Sequence, residues 1–214
     1  VLAIVAYLGL TGSACPQARG PKEVANVKSP IQMEAQFQVD EQSLKISYTV
    51  INGSSEPVLV LDRMWDRKAK ALNPDWAYVD IRGNRALIKR VMDPKPLKMI
   101  VEHPRVPYGR KVLPGERLKG EFALSLPLTA FGQYDFFLKP NAVLEDVELV
   151  EVGFMLAWTT VPAEPLPPQM QKVQIAGEEL QPISYHVLEG AQRFLTSEPQ
   201  KVKVAGKAKT VPPA

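Results

Sequence analysis

The stretch from Leu44 to Asp62, LKISYTVINGSSEPVLVLD, contains two strands and the turn that joins them. Leu44, Ile46, Tyr48 and Val50 alternate with Lys45, Ser47 and Thr49, the period of two that marks a strand with one buried face. The pattern breaks at Asn52-Gly53-Ser54-Ser55-Glu56-Pro57. There Asn-Gly tolerates positive φ, the serines can bond local backbone and Pro57 starts extended chain again. Val58-Leu59-Val60-Leu61 is apolar at consecutive positions, so both faces of that strand should be covered. The expectation is a hairpin at the centre of an all-β domain.

The same pattern recurs on either side. Ile31, Met33, Ala35, Phe37 and Val39 alternate with Gln32, Glu34, Gln36 and Gln38, and Asp40 to Ser43 turns that strand into the next. Residues 76–81 and 86–91 flank Arg82-Gly83-Asn84-Arg85, a second hairpin with a tight turn. A short strand is expected at 97–101, and Pro114-Gly115 has type II turn chemistry. Leu118 to Leu126 alternates again, Tyr134, Phe136 and Leu138 form the next strand, and Val147 to Trp158 the last long one. In that last strand the apolar register slips between Leu149 and Val150, which predicts a β-bulge.

From Val161 the composition shifts. Pro162, Pro165, Pro167 and Pro168 favour extended chain, and a largely irregular Pro-rich extension is expected over 161–214. Within it, 172–176 and 183–188 read as short strands and 188–195 as one or two helical turns. The segment after Glu198 has no acid and carries Lys201, Lys203, Lys207 and Lys209, so it reads as disordered.

Gly132-Gln133-Tyr134-Asp135-Phe136, following a Leu/Pro-rich corner, resembles the tyrosine corner of immunoglobulin-like sandwiches, with Phe136 in place of the second core cysteine. With short strands and turn signals repeating between Ile31 and Trp158, the resemblance implies an immunoglobulin-like antiparallel β-sandwich over 29–160. It also implies a Tyr134 hydroxyl bonded to nearby backbone.

Val1 to Leu10, VLAIVAYLGL, is apolar and is followed by Thr11-Gly12-Ser13-Ala14-Cys15. The run is shorter than the roughly 20 helical residues that cross a bilayer, and it ends in small residues, so 1–14 reads as an export signal. It lacks an initiating Met and a basic start, so the expectation is a signal cut short. Ser13-Ala14-Cys15 resembles the lipobox of bacterial lipoproteins, which implies lipidation at Cys15, with 15–28 a tether. The implied location is membrane-anchored at the bacterial cell envelope, or secreted or periplasmic without the lipid.

The 214 residues include 26 basic and 23 acidic side chains for a net charge of +3, with no basic patch, so nucleic acid is not an expected partner. One cysteine excludes an intrachain disulfide and a Cys-based zinc cluster, and His103 and His186 stand in unrelated segments. No nucleophile elbow, zincin, phosphate-loop or dinucleotide fingerprint occurs. Asp62, Asp66, Asp75 and Asp80 are too irregularly spaced, and too interleaved with Arg63, Arg67, Lys68 and Lys70, for a calcium loop, so they read as salt pairs. Asn52-Gly53-Ser54 matches a glycosylation acceptor and reads only as a turn. No catalytic residue, metal or cofactor is expected, and the chain reads as a non-enzyme.

Arg63, Trp65, Arg67, Trp76 and Tyr78 combine aromatics with arginines, the mixture enriched at binding hot spots, and form the expected partner surface. The expected function is a binding or assembly module facing a protein or glycan of the envelope. One alternative comes from a resemblance: the Asn52 to Pro57 hairpin and the Pro114-Gly115-Glu116 turn resemble a bacterial proteinase-inhibitor family of all-β domains. A second alternative is an enzyme with a carboxylate site that no motif marks.

Overall fold

The computed structural model describes residues 29–66, 71–73, 75–96, 107–135, 142–162 and 170–210; the side chains of Trp65 and Asp66 are not described. The export segment, Cys15, the tether before Ser29, Arg67, the strand expected at 97–101 and His103 lie outside these residues.

The fold is all-β, built of several antiparallel sheets. A three-stranded sheet pairs β1 (Ile31–Val39), β2 (Ser43–Asn52) and β8 (Arg117–Ser125) in the order β1-β2-β8. The alternation of β2 is realised fully: Leu44, Ile46, Tyr48 and Val50 are all buried.

β3 (Val58–Asp66) does not return beside β2. It belongs to the larger sheet, so the expected central hairpin is a crossing between sheets. Asn52 makes the corner: fully buried, it donates through Nδ2 to Glu56 O at 2.8 Å and Val112 O at 2.9 Å, and its Oδ1 accepts from Ser54. Its side chain replaces the ladder bonds that a hairpin would have supplied.

The larger sheet is organised on β10 (Val143–Thr160). One of its edges carries β14 (Gln200–Thr210) and then β13 (Arg193–Thr196); the other carries β6 (Arg85–Arg90), in parallel, and then β3. β7 (Tyr108–Val112) and the short β4 (Ala71–Asn73) extend β3, β5 (Tyr78–Arg82) extends β6, and β9 (Leu128–Thr129) extends β14. The β10–β14 register shifts between Leu149 and Glu151, where the sequence predicts the bulge. β5 and β6 form the expected hairpin, with Gly83 at φ +59°, and Gly115 at φ +79° fits the expected turn.

The two sheets share one core. Ile46, Tyr48 and Phe122 on one side meet Val60, Ile88, Phe154 and Leu156 on the other, with the rings of Tyr48 and Phe154 5.2 Å apart. A second cluster covers the opposite face of β3 and β10: Leu59, Leu61 and Ala157 pack under Met170, Ile183 and Leu188. Hence Val58 to Leu61 is buried at every position.

The chain beyond Val161 departs from an irregular extension. A hairpin of β11 (Val173–Ile175) and β12 (Glu178–Leu180) is followed by helix α1 (Tyr185–Ala191), capped by Ser184 where a strand is expected. The lysine-rich end is β14. Its lysines alternate with Val202, Val204, Gly206 and Ala208, which turn toward the core, and Lys203 pairs with Glu148 of β10 at 3.1 Å. Gly206 is required by close approach: a Cβ there would lie 2.7 Å from Leu149 Cδ1. Lack of acids reads as disorder only while β10, which supplies them, is left out.

Tyr134 is buried but lies in a turn, where a strand is expected, and Phe136 and Leu138 lie outside the described residues. Its hydroxyl accepts from the Gln133 side chain, Nε2 at 3.2 Å, in place of the expected backbone bond.

Candidate functional site

Among the described residues, polar groups gather in two constellations. The first is buried. Asp62, on β3, accepts from the Tyr48 hydroxyl at 2.6 Å, from Arg110 Nε at 3.1 Å and more closely Nη2, and from Arg63 Nη1 at 3.2 Å. Arg90 donates to the Asp62 carbonyl at 3.0 Å and lies over the Phe122 ring, 3.6 Å from its centroid. Arg63 grips Glu178 of β12 with two bonds, at 2.6 and 2.7 Å. Gly120 makes room, since a Cβ there would sit 2.2 Å from the Tyr48 ring.

Burial pulls the Asp62 carboxyl upward, but Arg110, Arg63 and the Tyr48 hydroxyl outweigh it and hold it below the ordinary value. Burial and the Asp62 charge push the Tyr48 phenol up, so it remains a donor. Glu178 is held down by its bonds to Arg63. Asp62 is fully enclosed, so the network ties structure together: Arg110 also donates to Lys119 O of β8 at 3.1 Å, stitching the β7–β8 seam. At the opposite seam Gln200 Nε2 donates to Ala35 O of β1 at 2.8 Å.

The second constellation is on the surface around the β5–β6 hairpin. Phe131 pairs through its N–H and C=O with Val79 on the outer edge of β5, both at 2.9 Å, and the residue remains 40% exposed. Beneath it lie Tyr78, with ring centroids 5.8 Å apart, and Trp76, edge-on at 5.9 Å. A hollow of about 310 Å³ beside Phe131 is lined by Asp80, Arg82, Lys89, Asp93, Asp135 and Lys209, among others. On the other side of Asp80 and Arg82 a hollow of about 320 Å³ has a floor of Ala86, Leu87, Gly153 and Pro199 between Arg85 and Glu151. Every cation there is paired: Arg82–Asp80 at 3.1 Å, Arg85–Glu151 at 2.5 Å, Lys89–Asp93 and Lys209–Asp135 at 2.8 Å.

The residues expected to face a partner are thus dispersed by depth. Tyr78 is fully buried, Trp76 is half-buried under Phe131, and Arg63 belongs to the Asp62 network; the Trp65 side chain and Arg67 lie outside the described residues. Trp76 and Tyr78 support the surface from below. Phe131, Asp93 and Lys209 come to it from distant segments and carry no local motif; their one signal is Phe131, an aromatic directly before the Gly132 to Phe136 stretch that resembles a tyrosine corner. Of the carboxylate set, Asp75 caps the β8 edge by accepting from Ala123 N at 3.1 Å, Asp80 pairs with Arg82, and Asp62 is internal.

Among the described residues no group of His, Cys, Asp and Glu is arranged to hold a metal ion, and no helix is long and apolar enough to cross a membrane. His186 sits on α1 with its ring edge-on to Tyr185. Comparison of the chain with protein-family models, with curated proteins and with solved structures finds no match in any of the three.

Proposed function

We propose that the protein is an exported binding or assembly module of the bacterial cell envelope, lipidated at Cys15, that presents the β5–β6 end of an immunoglobulin-like sandwich to a partner. The observation that carries the reading is the surface at that end: an exposed aromatic ring, supported by Trp76 and Tyr78, stands beside two hollows edged by arginines. Aromatic and arginine side chains dominate binding hot spots because they bring large contact area and directional donors at small entropic cost. Two sheets that share a core and are tied along both seams support the sandwich reading. The apolar run ending in Ser13-Ala14-Cys15 supports export and the anchor.

Binding is favoured over catalysis because Asp62, the carboxylate that Tyr48, Arg63 and Arg110 surround, is enclosed and serves the fold. The test has two parts. The mature protein, expressed in a bacterium behind an intact signal, should fractionate with membranes and carry an acylated Cys15; a soluble, unmodified product defeats the anchor. Protein carrying Cys15→Ser, which removes the lipid, should also co-sediment with isolated envelope fragments, and the same protein with Arg82→Ala and Phe131→Ala added should not. Equal sedimentation of the two defeats the surface.

A further inference from the structure

We infer that the paired hollows flanking Asp80 and Arg82 are a cleft for an extended, uncharged saccharide. This rests on the binding-module reading and specifies its ligand. Each hollow, about 310 and 320 Å³, is near the lower end of the roughly 300–1,000 Å³ typical of small-ligand sites. Asp80 and Arg82 line both, so the two adjoin along one wall. A chain of rings can seat in both and cross that wall; a single compact ligand fills only one.

The charge pattern selects the chemistry. Asp80, Asp93, Asp135 and Glu151 are matched by Arg82, Lys89, Lys209 and Arg85, and each cation is paired with a carboxylate of the same surface. An acidic polymer meets no excess of positive charge, and a basic one no excess of negative. A sugar hydroxyl both donates and accepts, so it can bridge a carboxylate and its cation without breaking the pair. Phe131 supplies an apolar face against which the C–H face of a sugar ring can lie, and Leu87 and Pro199 offer a second apolar floor. The polar groups are held in advance: Gln133 Oε1 accepts from Asp93 N at 3.0 Å, and Asp135 accepts from Gly132 N at 2.8 Å as well as from Lys209. A peptide adding to the edge of β5 is opposed, because Val79 is already paired there with Phe131.

The full-length chain is titrated by calorimetry with maltotetraose, cellotetraose and chitotetraose, and with an acidic tetragalacturonate, at low and high sodium chloride. At least one neutral tetrasaccharide is expected to bind, with an affinity that salt changes by less than about twofold. Phe131→Ala and Arg82→Ala, shown folded by circular dichroism, should each weaken it about tenfold. Glu34→Ala, on the outer face of the three-stranded sheet, should leave it unchanged. Absence of binding to all three neutral sugars overturns the proposal. So does binding that Phe131→Ala leaves intact, or binding of the acidic sugar alone with a steep loss in salt. If the sugars fail while the protein still co-sediments with envelope fragments through Arg82 and Phe131, the saccharide falls and the binding module stands; if both fail, both fall.

Discussion

Tyr48 and Asp62 belong to different sheets, and the Tyr48 hydroxyl donates to Asp62 Oδ2 at 2.6 Å through the core between them. The bond is made where water is excluded, so its loss leaves a carboxylate short of a partner with no solvent to replace it. Around it, Arg63 and Arg110 neutralise Asp62 and reach outward to Glu178 and Lys119 O. One buried acid therefore joins β2, β3, β6, β7, β8 and β12.

Asp62→Asn should destabilise the protein by about 3–5 kcal/mol, because it strips Arg63 and Arg110 of a buried counter-charge. Tyr48→Phe, which leaves the arginine contacts, should cost about 1–3 kcal/mol. Urea unfolding of the two variants measures both, and a Tyr48→Phe midpoint equal to the parent's would remove the inter-sheet bond from the stabilising contacts.

Gly120→Ala places a Cβ 2.2 Å from the Tyr48 ring, which must then swing off Asp62. Overpacking of this kind costs about 1–3 kcal/mol. Because the two residues share the space, the cost should shrink when Tyr48 is also replaced by Ala, and a double-mutant cycle reads that coupling. Additive losses would mean that Gly120 matters for another reason.

Acid should weaken the fold through Asp62 and Glu178. Both carboxyls are held below their ordinary values of 3.8 and 4.5, Asp62 against its burial and Glu178 by Arg63. A carboxyl with a depressed folded-state pKa contributes stability that is fully present above its unfolded-state pKa and is lost as pH falls through the folded-state one. Stability should thus be level near neutrality and decline below about pH 4.5. Glu178→Gln should lower the neutral plateau and make the upper part of the decline shallower. Identical pH profiles for parent and variant would separate Glu178 from the network.

Removal of residues 200–214 should abolish cooperative unfolding or yield insoluble protein. β14 pairs with β10 from Val143 to Val152, and Val204 and Ala208 are buried, so the deletion strips the central strand of an edge and the core of a wall. A chain ending at Thr160 should fail for the same reason, since β13 leaves with it. A sharp, parent-like urea transition for either truncation would show β14 to be dispensable.

What the sequence determined by itself is what nearest-neighbour chemistry controls. Alternation at Leu44, Ile46, Tyr48 and Val50 marks a strand because successive side chains of extended backbone point to opposite faces. The run Val58 to Leu61 declares a strand covered on both faces, Gly83 and Gly115 mark turns at positive φ, and the slip after Leu149 declares a bulge. What the tertiary structure decided is which strands meet. Asn52 sends β3 into the other sheet through bonds to Glu56 O and to Val112 O, sixty residues away, and no local pattern records that second partner. β14 is a strand because Glu148 and Asp146 of β10 receive its lysines and Leu149 fits over Gly206, so its order belongs to the pairing and not to its own composition. The surface around Phe131 follows the same rule: Val79, Lys209 and Asp93 become neighbours only when β5, β6 and β14 come together, because contact in a sheet depends on register across strands and not on distance along the chain.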